Sequence, residues 1–127
     1  MGFPSPAADY AEAELSLDQL CIKRPSATYF MRAQGHYPQY GIMDDSVLVV
    51  DRARTPVNGS IVVAAIDGGF RVCMLQTSPY PALTSLKTQR VVKRLDVDSS
   101  ESGVEIFGVV TYAVNSMTTF EFDDVPV

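Results

Sequence analysis

The chain contains a single histidine, His36, and only two cysteines, Cys21 and Cys73, among its 127 residues. A metal centre built from clustered His and Cys has nothing to draw on, because there is no Cys-x-x-Cys pair and no His-rich spacing. A Gly-rich phosphate loop is also missing, so no cofactor is implied. Two lone cysteines in a domain of this size read as reduced, buried thiols of a cytoplasmic protein rather than a disulfide framework. No apolar run approaches the ~18 residues of a membrane span, and no signal-peptide pattern opens the chain, so no membrane partner is expected. Asn58-Gly59-Ser60 formally matches a glycosylation acceptor, but without a secretory signal it reads as a turn. Basic charge is scarce: 10 Lys and Arg stand against 15 Asp and Glu, a net charge of −5. That balance argues against strong direct DNA binding, which depends on broad phosphate neutralisation.

What is present is the composition of an ordinary soluble globular protein, 46% hydrophobic and 20% charged. One domain is the default at this length, where roughly two-thirds of the unfolded surface is buried. Charge is distributed unevenly. Residues 1 to 22 hold Asp9, Glu12, Glu14 and Asp18 without a base, whereas Lys87, Arg90, Lys93 and Arg94 crowd together without an acid. Such a basic run is ordinarily a solvated strand or loop face, with a partner-docking patch as the alternative.

The first stretch, residues 1–25, is broken by Pro4 and Pro6 and reads as a flexible N-terminal arm with one short helical turn near Ser16 to Leu20. Beyond it the pattern is β-rich. Short runs heavy in β-branched residues cover Thr28 to Arg32, Ser46 to Asp51 and Ser60 to Ile66. The strongest local signal is a hairpin in which Ile61 to Ile66 meets Phe70 to Leu75 across Asp67-Gly68-Gly69, residues that tolerate the positive φ of tight turns. Weaker strand signals lie at Ala82 to Leu86 and Arg90 to Leu95. Asp96 to Gly103 reads as a loop, and Val104 to Val114 as a long final strand. With no repeat and no long helix, a mostly β domain over 26–116 is expected, followed by a C-terminal extension over 117–127.

Few residues carry chemistry on their own account. Asp44-Asp45 precedes a strand and reads as turn chemistry before it reads as a carboxylate pair. His36 lies in a loop rich in Gly, Pro and Tyr, where exposure is the plainer expectation.

Several strings nevertheless resemble one family. Gly2-Phe3-Pro4-Ser5-Pro6-Ala7-Ala8-Asp9-Tyr10 and Pro25-Ser26-Ala27-Thr28-Tyr29-Phe30 are followed by Val49-Val50-Asp51, Ile61 to Gly68, Phe70, Val72, Leu75-Gln76 and Phe107-Gly108-Val109-Val110. In this order, over roughly residues 2 to 114, they resemble the LexA/UmuD family of self-cleaving S24-type domains. The resemblance implies a LexA/signal-peptidase-like fold of coiled β-sheets and two family activities. One is Ser–Lys self-cleavage; the other is service as the dimeric accessory subunit of an error-prone translesion polymerase in the SOS response.

Carried over residue by residue, the family's serine position falls on Tyr37, beside His36, in Gln34-Gly35-His36-Tyr37-Pro38. Its lysine position follows Phe70-Arg71-Val72 and falls on Cys73. A phenol with a pKa of ~10 is a poor replacement for an activated serine, and a thiol has no amine to serve as base. The expectation is therefore a non-proteolytic chain without catalytic residues. A weaker alternative makes Cys73 the nucleophile and His36 its base, as thiolate chemistry allows; a packed structural thiol is the stronger reading. The UmuD branch of the family is cut just before a Gly-Phe-Pro-Ser sequence, which here follows Met1, so the chain resembles a processed product.

The resemblance further implies a homodimer through Phe107, Val109, Val110, Tyr112 and Val114. It also implies a UmuC-like Y-family polymerase as partner, with a RecA filament or an active UmuD homologue as further candidates. In the last case the chain acts as a decoy or regulator in mixed dimers. Residues 79–105 share little with the family, and Phe120-Glu121-Phe122-Asp123-Asp124 lies beyond it. That alternation of aromatics and acids suggests an added edge strand, with a loose tail or a partner-binding peptide as alternatives.

Overall fold

The computed structural model describes residues 16–96 and 103–118. The expected arm up to residue 15, the interior of the Asp96 to Gly103 loop and the alternating segment at Phe120 to Asp124 lie outside the described residues. Within them run one short helix, α1 (Leu17–Cys21), and seven strands: β1 (Thr28–Arg32), β2 (Val47–Asp51), β3 (Ile61–Ile66), β4 (Gly69–Gln76), β5 (Ala82–Thr84), β6 (Val91–Arg94) and β7 (Val104–Val114). The mostly β expectation is met by one antiparallel sheet in the order β1-β2-β7-β3-β4-β5-β6.

Local chemistry accounts for the best-formed parts. Asp67 (φ 50°) and Gly68 (φ 85°) both take positive φ, the requirement of a two-residue turn whose twist matches its strands. Gly69 does not belong to that turn, as the sequence suggested, but opens β4 opposite Ile66. β2 is buried along its whole length, which explains why its residues read as an unbroken apolar run rather than an alternating one. β5 is shorter than the Ala82 to Leu86 run suggested. After Thr84 the chain leaves the sheet and sends Leu86 into the core at 1% exposure.

The long strand β7 organises the whole sheet. Its C-terminal half pairs with β2, from Val109 opposite Asp51 to Val114 opposite Val47, and its N-terminal half pairs with β3. Register shifts between Val49 and Val50 and between Val63 and Ala64 leave Thr111 and Phe107 as extra residues in β7. Such bulges bend and twist a strand, which lets the sheet coil. Gly108 sits at the tightest point: a Cβ there would stand 2.7 Å from Val50 Cγ1. Only glycine fits so close a strand contact.

Two apolar clusters lie on the two faces of the coiled sheet. The first holds Ala33, Ile42, Leu48, Val50, Val63 and Leu86. The second holds Val62, Ala64, Cys73, Leu75, Leu83 and Val109. Neighbouring residues of one strand, such as Val62 and Val63, enter different clusters because strand side chains alternate.

The last part of the expected arm is anchored rather than free. Ser16 caps α1 by accepting the Gln19 N–H, and Cys21 is buried at 8% exposure. Arg24 then donates to the buried Asp51 carboxylate at 2.6 Å. No helix among the described residues is long and apolar enough to cross a membrane.

Candidate functional site

Between β1 and β2 the chain makes a loop, residues 33–46, that folds over the face of the first cluster. Its ends are clamped by backbone bonds from Ala33 N–H to Ser46 O (2.8 Å) and from Asp45 N–H to Ala33 O (2.9 Å). Ser46, fully buried, ties the loop to the end of β7. Its hydroxyl accepts the Met43 N–H at 2.8 Å and donates to the Asn115 side-chain oxygen. The Asn115 amide returns a hydrogen bond to Gly41 O at 3.1 Å. Asp44 and Asp45 act as turn residues: Asp44 accepts the Gly35 N–H, and Asp45, at φ 71°, pairs with Arg32 at 3.0 Å. Among the described residues no group of His, Cys, Asp and Glu is arranged to hold a metal ion.

Tyr37 sits at the turn of this loop. Its N–H donates to Ile42 O at 2.7 Å, and its own carbonyl accepts from Tyr40 and Ile42. The phenol folds back over Gly35, where an added Cβ would lie 2.7 Å from the hydroxyl oxygen and 2.9 Å from the ring. Gly35 is held at φ +120°, a conformation open to glycine and strained for other residues. The ring borders a cleft of about 710 Å3 whose other walls include Met31, Leu48, Val63, Phe70 and Val72. The neighbouring His36 is exposed.

Cys73 is elsewhere. It has no exposed surface and lies in the second cluster opposite Val62, whereas its neighbour Val72 lines the Tyr37 cleft. The facing arrangement on which a His36–Cys73 pair depends is therefore not formed. The sheet stands between the buried thiol and the loop because residues 72 and 73 point to opposite faces. Burial also pushes the Cys73 thiol pKa up, with only a smaller opposing effect from Arg71, so the reactive thiolate is disfavoured.

The five residues expected at a dimer contact divide. Val109 is committed to the second cluster at 5% exposure, and Phe107 and Val110 pack against the first. Val114 is half-buried, while Tyr112 is 40% exposed, its hydroxyl reaching Leu20 O at 3.4 Å. Phe107 also joins an edge-to-face trio with Tyr29 (5.3 Å) and Phe70 (5.4 Å) at the cleft's rim. Arg52 lies over its ring at 4.4 Å and donates to its carbonyl. Sequence reading singled out neither this trio nor the Ser46–Asn115 tie. The one available signal was the polar Ser46 abutting the apolar β2 run.

Comparison with known proteins supplies the relationship. The family model described as Peptidase S24-like matches residues 1–111. Protein ImpA of Salmonella typhimurium is 46% identical over 115 residues, 90% of this chain and 77% of that protein. Protein MucA of Escherichia coli is 46% identical over 114 residues, 89% of this chain and 77% of its own length. Protein SamA of Salmonella typhimurium is 45% identical over 111 residues, covering 87% and 75%. A family match over most of the chain, similarity spanning at least 75% of each relative, and a coiled antiparallel β architecture place the chain in the Peptidase S24-like family, as a UmuD-like member of the LexA/UmuD group.

Proposed function

We propose that this chain is a non-proteolytic UmuD-like subunit that dimerises in the cytoplasm and serves an error-prone Y-family polymerase in SOS mutagenesis. The observation that carries the non-proteolytic part is the cleft. Its loop presents a phenol packed over Gly35, and β4 turns Val72 toward it while burying Cys73 on the other face. Among the described residues, those lining the cleft include no Ser, Thr, Cys, His or Lys, which supports this reading. The accessory role rests on membership of the family and on the intact β framework.

Dimerisation has a structural opening at the C-terminal half of β7. β3 reaches only to Val62 opposite Val109, so beyond Val109 that edge of β7 has no strand partner among the described residues. A second strand adding there uses main-chain groups around Tyr112 rather than the buried Val109. The same edge favours a second reading, a mixed dimer with an active UmuD-type homologue.

Co-purification of the full chain with a UmuC-like polymerase tests the first reading. A stable complex is expected, and its absence at micromolar concentrations with folded dimer present counts against the accessory role. Cleavage of a family substrate by the unaltered chain refutes the non-proteolytic part. Subunit exchange with an active homologue, followed by native mass spectrometry, separates the two readings, since strict self-pairing excludes the mixed dimer.

A further inference from the structure

The proposed function makes no use of the basic run at 87–94. It occupies the β5–β6 hairpin, and β6 is the last strand of the sheet, with β5 on one side and no strand on the other among the described residues. Arg94 is already engaged: it donates to the Asp96 carboxylate at 2.5 and 2.9 Å and covers the Tyr80 ring at 4.0 Å. Lys87, Arg90 and Lys93 have no ion pair among the described residues, and Val91 beside them is 42% exposed.

The hairpin that carries these cations is held from inside. Leu86 anchors its turn in the first cluster, and Leu86 O accepts from the Gln39 side chain at 3.2 Å. The Ser85 hydroxyl accepts the Lys87 N–H at 3.1 Å, and the Ser85 N–H donates to Arg90 O at 2.9 Å. Further along, Lys93 lies opposite the fully buried Leu83, and the Leu95 N–H donates to Pro81 O at 2.9 Å. One side of β6 is thus committed to β5. The other presents a strand edge whose geometry is set before any partner arrives, which lowers the cost of ordering on binding.

The charge on this edge decides what can pair with it. Cations on an edge strand ordinarily discourage aggregation. Two copies of this edge would set Lys87, Arg90 and Lys93 of one against the same three residues of the other, and like charges facing each other across strands are destabilising. A second copy is therefore disfavoured. An acidic strand meets the opposite condition, since opposite charges across a strand pair are stabilising. Its main chain would supply the hydrogen bonds and its carboxylates the selectivity, the usual division of labour in strand addition. Nucleic acid fits less well, because three cations on a chain of net charge −5 neutralise few phosphates.

We propose that the outer edge of β6 is a β-addition site for an acidic extended segment of a partner protein, whose main chain pairs with β6 and whose carboxylates face Lys87, Arg90 and Lys93. This inference stands apart from the polymerase reading and from the β7 edge.

The test adds a fluorescein-labelled peptide of alternating Glu and Val to the full chain and reads binding by fluorescence anisotropy. Hydrogen–deuterium exchange over residues 90–95 locates it, with the β3–β4 hairpin as an internal check of folding. Saturable binding that slows exchange in β6 and leaves the β3–β4 hairpin unchanged is expected. An exposed charge pair is worth a factor of about two to five, so Lys87→Gln/Arg90→Gln/Lys93→Gln should weaken binding about tenfold. The variant Lys87→Glu/Arg90→Glu/Lys93→Glu should instead bind a peptide of alternating Lys and Val. Salt at 1 M, where the screening length falls to ~3 Å, should weaken the complex of the unaltered chain. Methylating the backbone nitrogens of alternate peptide residues, in one of the two possible phases, should abolish binding without changing any charge or altering the protein. No binding of the acidic peptide, binding unmoved by the cation substitutions, or binding kept by both methylated peptides overturns the proposal. Tighter binding of a single-stranded oligonucleotide, lost in the same variants, also overturns it, by assigning the cations to nucleic acid.

Discussion

Replacing Ser46 by Ala removes one oxygen atom, and the structure sets how much should be lost. The Ser46 hydroxyl is wholly buried, accepts the Met43 N–H and donates to Asn115, and no side-chain polar atom buried among the described residues lacks a partner. The Ser46→Ala substitution would leave the Met43 N–H and the Asn115 oxygen, both on half-buried residues, without this partner. An orphaned buried polar group costs about 1–3 kcal/mol, and because both partners are half-buried the substitution as a whole should cost about 1–3 kcal/mol. A domain of this size has a total stability of about 5–15 kcal/mol, and the loss corresponds to a fall in Tm of roughly 4–12 °C. The assay is urea unfolding of Ser46→Ala, Asn115→Ala and the double variant. Residues sharing one network are non-additive, so the cycle should return a coupling of at least ~1 kcal/mol. A Ser46→Ala loss below ~0.5 kcal/mol, or strict additivity, refutes the claim that this tie holds the Tyr37 loop to β7.

Three further expectations follow from the same geometry. Gly35→Ala places a Cβ within 2.7–2.9 Å of the Tyr37 ring on a backbone at φ +120°; a loss of about 1–3 kcal/mol is expected, and Tyr37→Ala in the same chain should recover only the steric part, as measured by denaturant midpoints. Cys73, in a Cys21→Ser background, should react with a thiol reagent in the folded chain only at the rate of opening. Because its folded pKa is raised above the unfolded value, its contribution is complete below the unfolded value and is lost as pH rises through the folded one. Stability relative to Cys73→Ala should therefore decline only in the alkaline range, and a decline already at pH 6 contradicts the assignment. Asp51→Asn breaks the ion pair with Arg24 and weakens the acceptor of the Ala53 N–H, so it should cost about 1–3 kcal/mol and speed tryptic cleavage of the Lys23–Arg24 bond. Unchanged cleavage there means that α1 is held by other contacts.

Much of the architecture was legible because it depends on contacts close in sequence. The Asp67-Gly68 turn, the β-branched runs on either side and the short helical turn after Ser16 each satisfy a local requirement, and each formed near where the sequence placed it. The unbroken apolar run of β2 correctly signalled a strand, and the structure buries it on both faces. Misreadings fell at boundaries. Gly69 pairs rather than turns, and Leu86 leaves its strand for the core, because in each case a tertiary partner outweighs local preference.

The site was less accessible. Tyr37 and Cys73 were singled out by position in a resemblance, and nothing in their spacing says that the sheet lies between them; strand pairing and the alternation of Val72 and Cys73 decide it. Likewise, Ser46 and Asn115 are 69 residues apart, and no local rule joins them. The sequence by itself determined the β class, the hairpin, the family relationship and the scarcity of histidine and cysteine, all of which rest on residue type and short-range geometry. Only the tertiary structure decided which side of each strand faces the cleft, that half of one β7 edge has no strand partner among the described residues, and that Asn115 at its end ties to the β1–β2 loop, because these depend on bulges and register set between distant strands.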